Sequence, residues 1–168
     1  MNLKWEYLIS DEFEIRKVIA AHYLKDCDTI IDVGAYKKKI AITHNATIHT
    51  IDPLKTISGA FHGTFSEWLD SSPYIHGRIG IALLGFDFES NTKETENLFS
   101  FIKKCDTIIL ECAVLYKESI VQVQQVIDYI YNDFDILSKI YLYLPKIESA
   151  GFPVYSERVM YNIKRKKV

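Results

Sequence analysis

The run Asp28–Pro53, DTIIDVGAYKKKIAITHNATIHTIDP, decides the fold. Its first five apolar-rich residues after Asp28, Thr29–Val33, read as a buried strand that stops at Gly34. A brief helical stretch is expected next, and then a second strand, Thr47–Ile51, ending in Asp52-Pro53. A strand that halts at glycine and hands over to a helix gathers backbone N–H groups and a positive helix end at one point. An acid at the tip of the next parallel strand is placed to accept hydrogen bonds from a ribose. Eighteen residues separate Gly34 from Asp52, close to the roughly 20-residue offset of dinucleotide-binding units. The segment therefore predicts a nucleoside-binding crevice at the carboxyl edge of a parallel sheet.

Working outward, a helix is expected over 10–25, with Asp11 and Glu14 at capping-box spacing and Phe13, Ile15, Val18, Ile19 and Tyr23 on its inner face. Beyond Pro53, Ala60–Phe65 reads as a short third strand and Ser66–Leu69 as the start of a short helix. Ile79–Phe86 is a fourth strand, and Thr107–Cys112 a fifth. Between them Leu98, Phe101, Ile102 and Cys105 mark a helix over 93–105. A second clear helix covers 119–134, with Ser119 and Gln122 at capping-box spacing. Two late strands, Ile136–Leu144 and Val159–Ile163, flank a loop at 145–157, and a basic tail Lys164–Lys167 follows.

Alternation of strands and helices predicts an α/β, three-layer, Rossmann-like sandwich with a mostly parallel sheet. No linker interrupts it, so 1–168 is expected to be one domain, with a nucleoside-binding half at 28–87 and a second half at 93–168. An internal echo, Lys25-Asp26-Cys27-Asp28-Thr29-Ile30-Ile31 against Lys103-Lys104-Cys105-Asp106-Thr107-Ile108-Ile109, places two helix-to-strand junctions in neighbouring central strands.

Composition sets the outer bounds. Hydrophobic residues make up 48% and charged residues 25% of the 168, as expected for a soluble globular chain. A net charge of −2 gives no electrostatic case for a nucleic-acid partner. Three cysteines without paired spacing point to free thiols in a reducing, cytoplasmic setting, and the five scattered histidines form no zinc pattern. The first 17 residues are too acidic for a signal peptide, and no apolar run is long enough to span a bilayer.

With Asp32-Val33-Gly34-Ala35 and Ile51-Asp52-Pro53 in place, the chain resembles the class I S-adenosylmethionine-dependent methyltransferases, in which five parallel strands precede a late antiparallel hairpin. The acid-Pro pair after Asp-Val-Gly-Ala is also similar to FkbM-like enzymes acting on sugars and other small molecules. The resemblance implies S-adenosyl-L-methionine as cofactor and a small-molecule acceptor. It implies cofactor contacts from Asp32, Gly34, Ala35, Tyr36, Asp52, Pro53, Gly85 and Phe86. Asp87 and Glu111, at the tips of the fourth and fifth strands, become the candidate catalytic carboxylates. The chain departs from the family where a second glycine is usual, showing Gly34-Ala35-Tyr36-Lys37-Lys38 instead. That departure leaves open a non-catalytic module that has lost its cofactor. A different nucleotide-binding protein using NAD ranks last, because no G-x-G-x-x-G or P-loop is present.

Overall fold

The computed structural model describes residues 12–35, 39–42, 44–53, 57–85, 92–114, 117–147 and 153–167. The elements run α1 (Glu12–Tyr23), β1 (Thr29–Val33), β2 (Thr47–Ile51), α2 (Phe65–Asp70), β3 (Ile79–Leu84), α3 (Lys93–Ile102), β4 (Thr107–Ala113), α4 (Lys117–Ile130), β5 (Phe134–Ile147) and β6 (Pro153–Arg165). The six strands form one sheet in the order β2-β1-β3-β4-β6-β5. Pairs β2-β1, β1-β3 and β3-β4 are parallel, and β6 returns antiparallel between β4 and β5. This is the α/β, mostly parallel sheet that the strand–helix alternation predicts, with the late antiparallel hairpin that the family resemblance implies.

The sheet has apolar packing on both sides, which is why β1 and β4 read as continuous apolar runs rather than alternating ones. On one face Ile31, Val33, Ile81, Leu83, Ile108 and Leu110 meet α2, α3 and α4. Phe65, Trp68 and Phe101 stack there with ring centroids 5.3 to 5.9 Å apart. On the other face Ile30, Ala82, Leu84, Ile109 and Met160 meet Ala20 and Leu24 of the α1 segment.

β3 explains how close that helix comes. A side chain added at Gly80 would lie 2.6 Å from Leu24 Cδ2 and 2.7 Å from Cys27 Sγ. Gly80 and Ala82 thus make a shallow trough along β3, and α1 seats over it.

The sequence echo has a structural meaning. Asp28 and Asp106 each reach the start of β3, accepting hydrogen bonds from the Arg78 N–H at 2.7 Å and the Ile79 N–H at 2.7 Å. Their own N–H groups donate back to the carbonyls of Arg78 and Ile79. The two copies therefore grip one strand from opposite sides. They are not neighbours of each other, as the echo suggests; β3 lies between them.

Several sequence expectations need correction. The third strand at 60–65 reduces to one bridge, Phe61 beside Ile51, leaving four parallel strands among the described residues rather than five. Residues 39–42 are not helical, so the brief helix after β1 does not extend into them. α2 is capped by Thr64, not Ser66: its hydroxyl accepts from the Glu67 N–H and Glu67 reciprocates. α4 ends at Ile130, with Phe134 already opening β5, and Ser119 lies inside the helix rather than at its cap. The 145–157 loop is mostly strand: Pro145–Ile147 pairs with Pro153–Tyr155. Lys164 and Arg165 belong to β6, and the Lys166 ammonium donates to the Tyr131 and Asn132 carbonyls, so the basic tail is largely built in.

Candidate functional site

The carboxyl ends of β1, β2, β3 and β4 gather the residues of interest at one edge. Gly34 follows β1 with φ 69, a left-handed conformation that glycine adopts without steric cost. Its N–H donates to the Ile51 carbonyl at 2.9 Å, which stitches the turn to the tip of β2 one residue before Asp52. Asp52 is buried there, and its N–H donates to the Phe61 carbonyl at 3.0 Å. The single bridge left from the expected third strand thus serves to hold the Asp52 backbone. Ala35 is buried behind the turn, and Pro53 is exposed beside it. Tyr36, Phe86 and Asp87 lie outside the described residues.

Asp32 is wholly buried, and the position demands donors. Lys17, from α1, donates its ammonium to Oδ1, and the Ile40 N–H donates to Oδ2 at 3.0 Å. Burial pushes the Asp32 carboxyl upward from its ordinary range; the Lys17 charge and hydrogen bond and the Ile40 N–H oppose it, and nearby Asp52 adds to it. Asp32 and Asp52 therefore sense each other's charge across the β1–β2 gap.

At the tip of β4, Glu111 is equally enclosed. Arg16 Nη1 donates to Oε2 and Arg158 Nη1 to Oε1, both at 2.9 Å. Gly85, at the end of β3 with φ 69, lies over this cluster: a Cβ there would stand 3.6 Å from Arg16 and Glu111 and 3.7 Å from Arg158. Its N–H donates to the Glu111 carbonyl at 3.2 Å. The Arg158 side chain is the most exposed of the three at 17%.

Sequence reasoning placed Asp32, Gly34, Ala35, Asp52, Pro53, Gly85 and Glu111, and the fold brings all of them to this edge. It missed Arg16, Lys17 and Arg158. The expected inner face of α1 included Val18, which is 63% exposed, whereas Arg16 and Lys17 are buried. A signal was available: two acids inside apolar runs, Ile30-Ile31-Asp32-Val33 and Ile109-Leu110-Glu111-Cys112, each require a cation, and Arg16-Lys17 is a cationic pair on the preceding helix.

Elsewhere, a cavity of about 460 Å³ lined by Ile127, Tyr131, Phe134, Ile136 and Ile163 lies at the opposite end of the strands and shares no residue with this edge. Among the described residues no cluster of histidine, cysteine, aspartate or glutamate could hold a metal, and no helix is long and apolar enough to cross a membrane.

No family model matches the chain, and no curated protein matches it. Solved structures do. The precorrin-6Y C5,15-methyltransferase of Geobacter metallireducens superposes with a TM-score of 0.57 at 14% identity, over 95% of this chain and 92% of that one. The precorrin-8W decarboxylase of Methanobacterium thermoautotrophicum gives 0.54 at 15% identity, over 92% and 91%. A putative RNA methyltransferase of Pyrococcus horikoshii gives 0.55 at 9% identity, over 92% and 83%. At such identities the likeness speaks to architecture alone. The chain therefore carries the Rossmann-like fold of class I methyltransferases.

Proposed function

We propose that the chain binds S-adenosyl-L-methionine at the carboxyl edge of its sheet and transfers a methyl group to a small polar acceptor such as a sugar. The observation that carries this reading is the bond from the Gly34 N–H to the Ile51 carbonyl, because it sets a left-handed glycine turn beside the Asp52 carboxylate. That pairing suits the adenosyl part: the turn leaves room for close backbone approach, and the acid accepts from ribose hydroxyls.

When bound, the cofactor supplies the activated methyl group, so the protein's contribution is alignment. Asp52 would orient the ribose, and Gly34, Ala35 and Pro53 would border the cofactor, with Tyr36 a contact that only the sequence resemblance implies. Asp32 holds the turn from beneath, through Lys17 and the Ile40 N–H. Gly85 would face the acceptor from the end of β3, and the sequence resemblance assigns Phe86 to cofactor contact and Asp87 to the role of general base for the acceptor's proton. Glu111 has a guanidinium on each oxygen, which suits it to positioning Arg158 at the acceptor's side rather than to removing a proton.

A second reading, a methyltransferase-like module without catalysis, draws on one observation. Lys17 brings the protein's own ammonium to Asp32, the acid that a cofactor's amino group would otherwise meet. Titration calorimetry with S-adenosylhomocysteine separates the two. Micromolar binding, weakened at least tenfold by Asp52→Ala, supports the enzyme; silence at millimolar concentration supports the module.

A further inference from the structure

α1 sends two consecutive buried cations in different directions. Arg16 and Lys17 leave the helix about 100° apart, as neighbours on a helix must. Arg16 meets Glu111 at the tip of β4, and Lys17 meets Asp32 near the tip of β1. These strands do not touch: β3 lies between them, so the two acids are on the order of 10 Å apart across the sheet. The helix can straddle that gap because Gly80 and Ala82 of β3 present almost nothing beneath it. All four side chains are buried, with Arg16 and Lys17 at 3% and 6% exposure and their acids at 2% and 0%. A charge enclosed in this way has no alternative partner in water, so neither prong can let go cheaply.

We propose that Arg16 and Lys17 act as a two-pronged clamp of positioning residues, through which one turn of α1 fixes the spacing between the Gly34 turn and the Glu111–Arg158 cluster. On the preceding reading of the site, on which the naming of the two ends rests, this is the spacing between cofactor and acceptor. The coupling itself is a property of the apo-protein. A displacement at Glu111 reaches Asp32 through the helix, and the Ile40 N–H, bonded to Asp32 Oδ2, reports it.

The test is amide hydrogen exchange at Ile40 in the full chain without ligand, followed by titration with S-adenosylhomocysteine. Arg16→Met removes the prong remote from Ile40. Leu24→Ala loosens the same helical segment without touching either acid. The clamp requires that Arg16→Met speed Ile40 exchange at least tenfold and, where the wild-type chain binds S-adenosylhomocysteine, weaken that binding at least threefold, with Leu24→Ala doing neither. Ile40 exchange within twofold of wild type in Arg16→Met, or an equal acceleration in Leu24→Ala, overturns it. Should Arg16→Met fail to fold, Arg16→Lys, which keeps the charge but not the reach, is read by the same criteria. A wild-type chain that ignores S-adenosylhomocysteine while Arg16→Met still accelerates Ile40 exchange retires the methyl-transfer reading and leaves the clamp standing.

Discussion

At the scale of single residues, the most consequential feature is the pairing of buried acids with buried cations. Lys17 and Asp32 are so enclosed that removing either leaves the other a buried charge without its hydrogen-bonded ion-pair partner. Lys17→Met and Asp32→Asn are each expected to cost about 3–5 kcal/mol, whereas the double variant should cost clearly less than their sum. Urea unfolding of the four proteins checks this. The thiols make a second case. Burial raises Cys27, Cys105 and Cys112 above the ordinary thiol value of 9.0. The native chain should therefore resist alkylation at pH 8 and label at all three positions once unfolded, as mass spectrometry would show. The linkage has a definite sign. A group that keeps its proton longer in the folded state contributes fully below 9.0, and stability should fall as pH rises beyond that value.

At the scale of elements, the contact between β3 and the turn that follows α1 rests on an absent side chain. Gly80→Ala places a methyl within 2.7 Å of Leu24 and Cys27, so the turn after α1 must shift, at about 1–3 kcal/mol of stability. A fall in the denaturation midpoint with an unchanged m-value is the expected record. The start of α2 offers a milder case, because two devices share it. Thr64 and Glu67 form the capping box, and Glu94 of α3 accepts from the N–H groups of Phe65 and Ser66 at 2.7 and 3.0 Å. Thr64→Ala is accordingly expected to cost about 1 kcal/mol, at the typical value for such a cap.

Elements whose own periodicity carried their burial were the legible ones. Leu98, Phe101 and Ile102 announce α3, and the Ile-rich runs announce β1 and β4. α1 misled because its buried positions hold charge, and a rule that places apolar residues inward assigns Val18 to the core and Arg16 to solvent. The hairpin was drawn too short because Pro145 and Pro153 read as loop residues, yet both sit in long strands near the tip of the β5–β6 ribbon. For the site, the glycine turn and Asp52 were visible because eighteen residues of local sequence relate them. Arg16 and Arg158 were not, because they lie 95 and 47 positions from Glu111 and only the fold brings them together.

At the scale of the whole molecule, β3 joins the two halves of the sequence within one sheet. β3 belongs to the amino-terminal half yet pairs with β4, and its start is held by Asp28 from one half and Asp106 from the other. α1 crosses the same divide: Arg16 engages Glu111, and the Ser138 hydroxyl donates to the Tyr23 hydroxyl at 3.4 Å. A chain severed between β3 and α3 should consequently yield two pieces, each without helical circular dichroism of native strength, that regain it only when mixed. Independent refolding of either piece would contradict this. The halves 28–87 and 93–168 marked out by the sequence are thus not separate units of construction, and a tether swapped in for the β3–α3 connection would preserve the molecule where a stop codon there would abolish it.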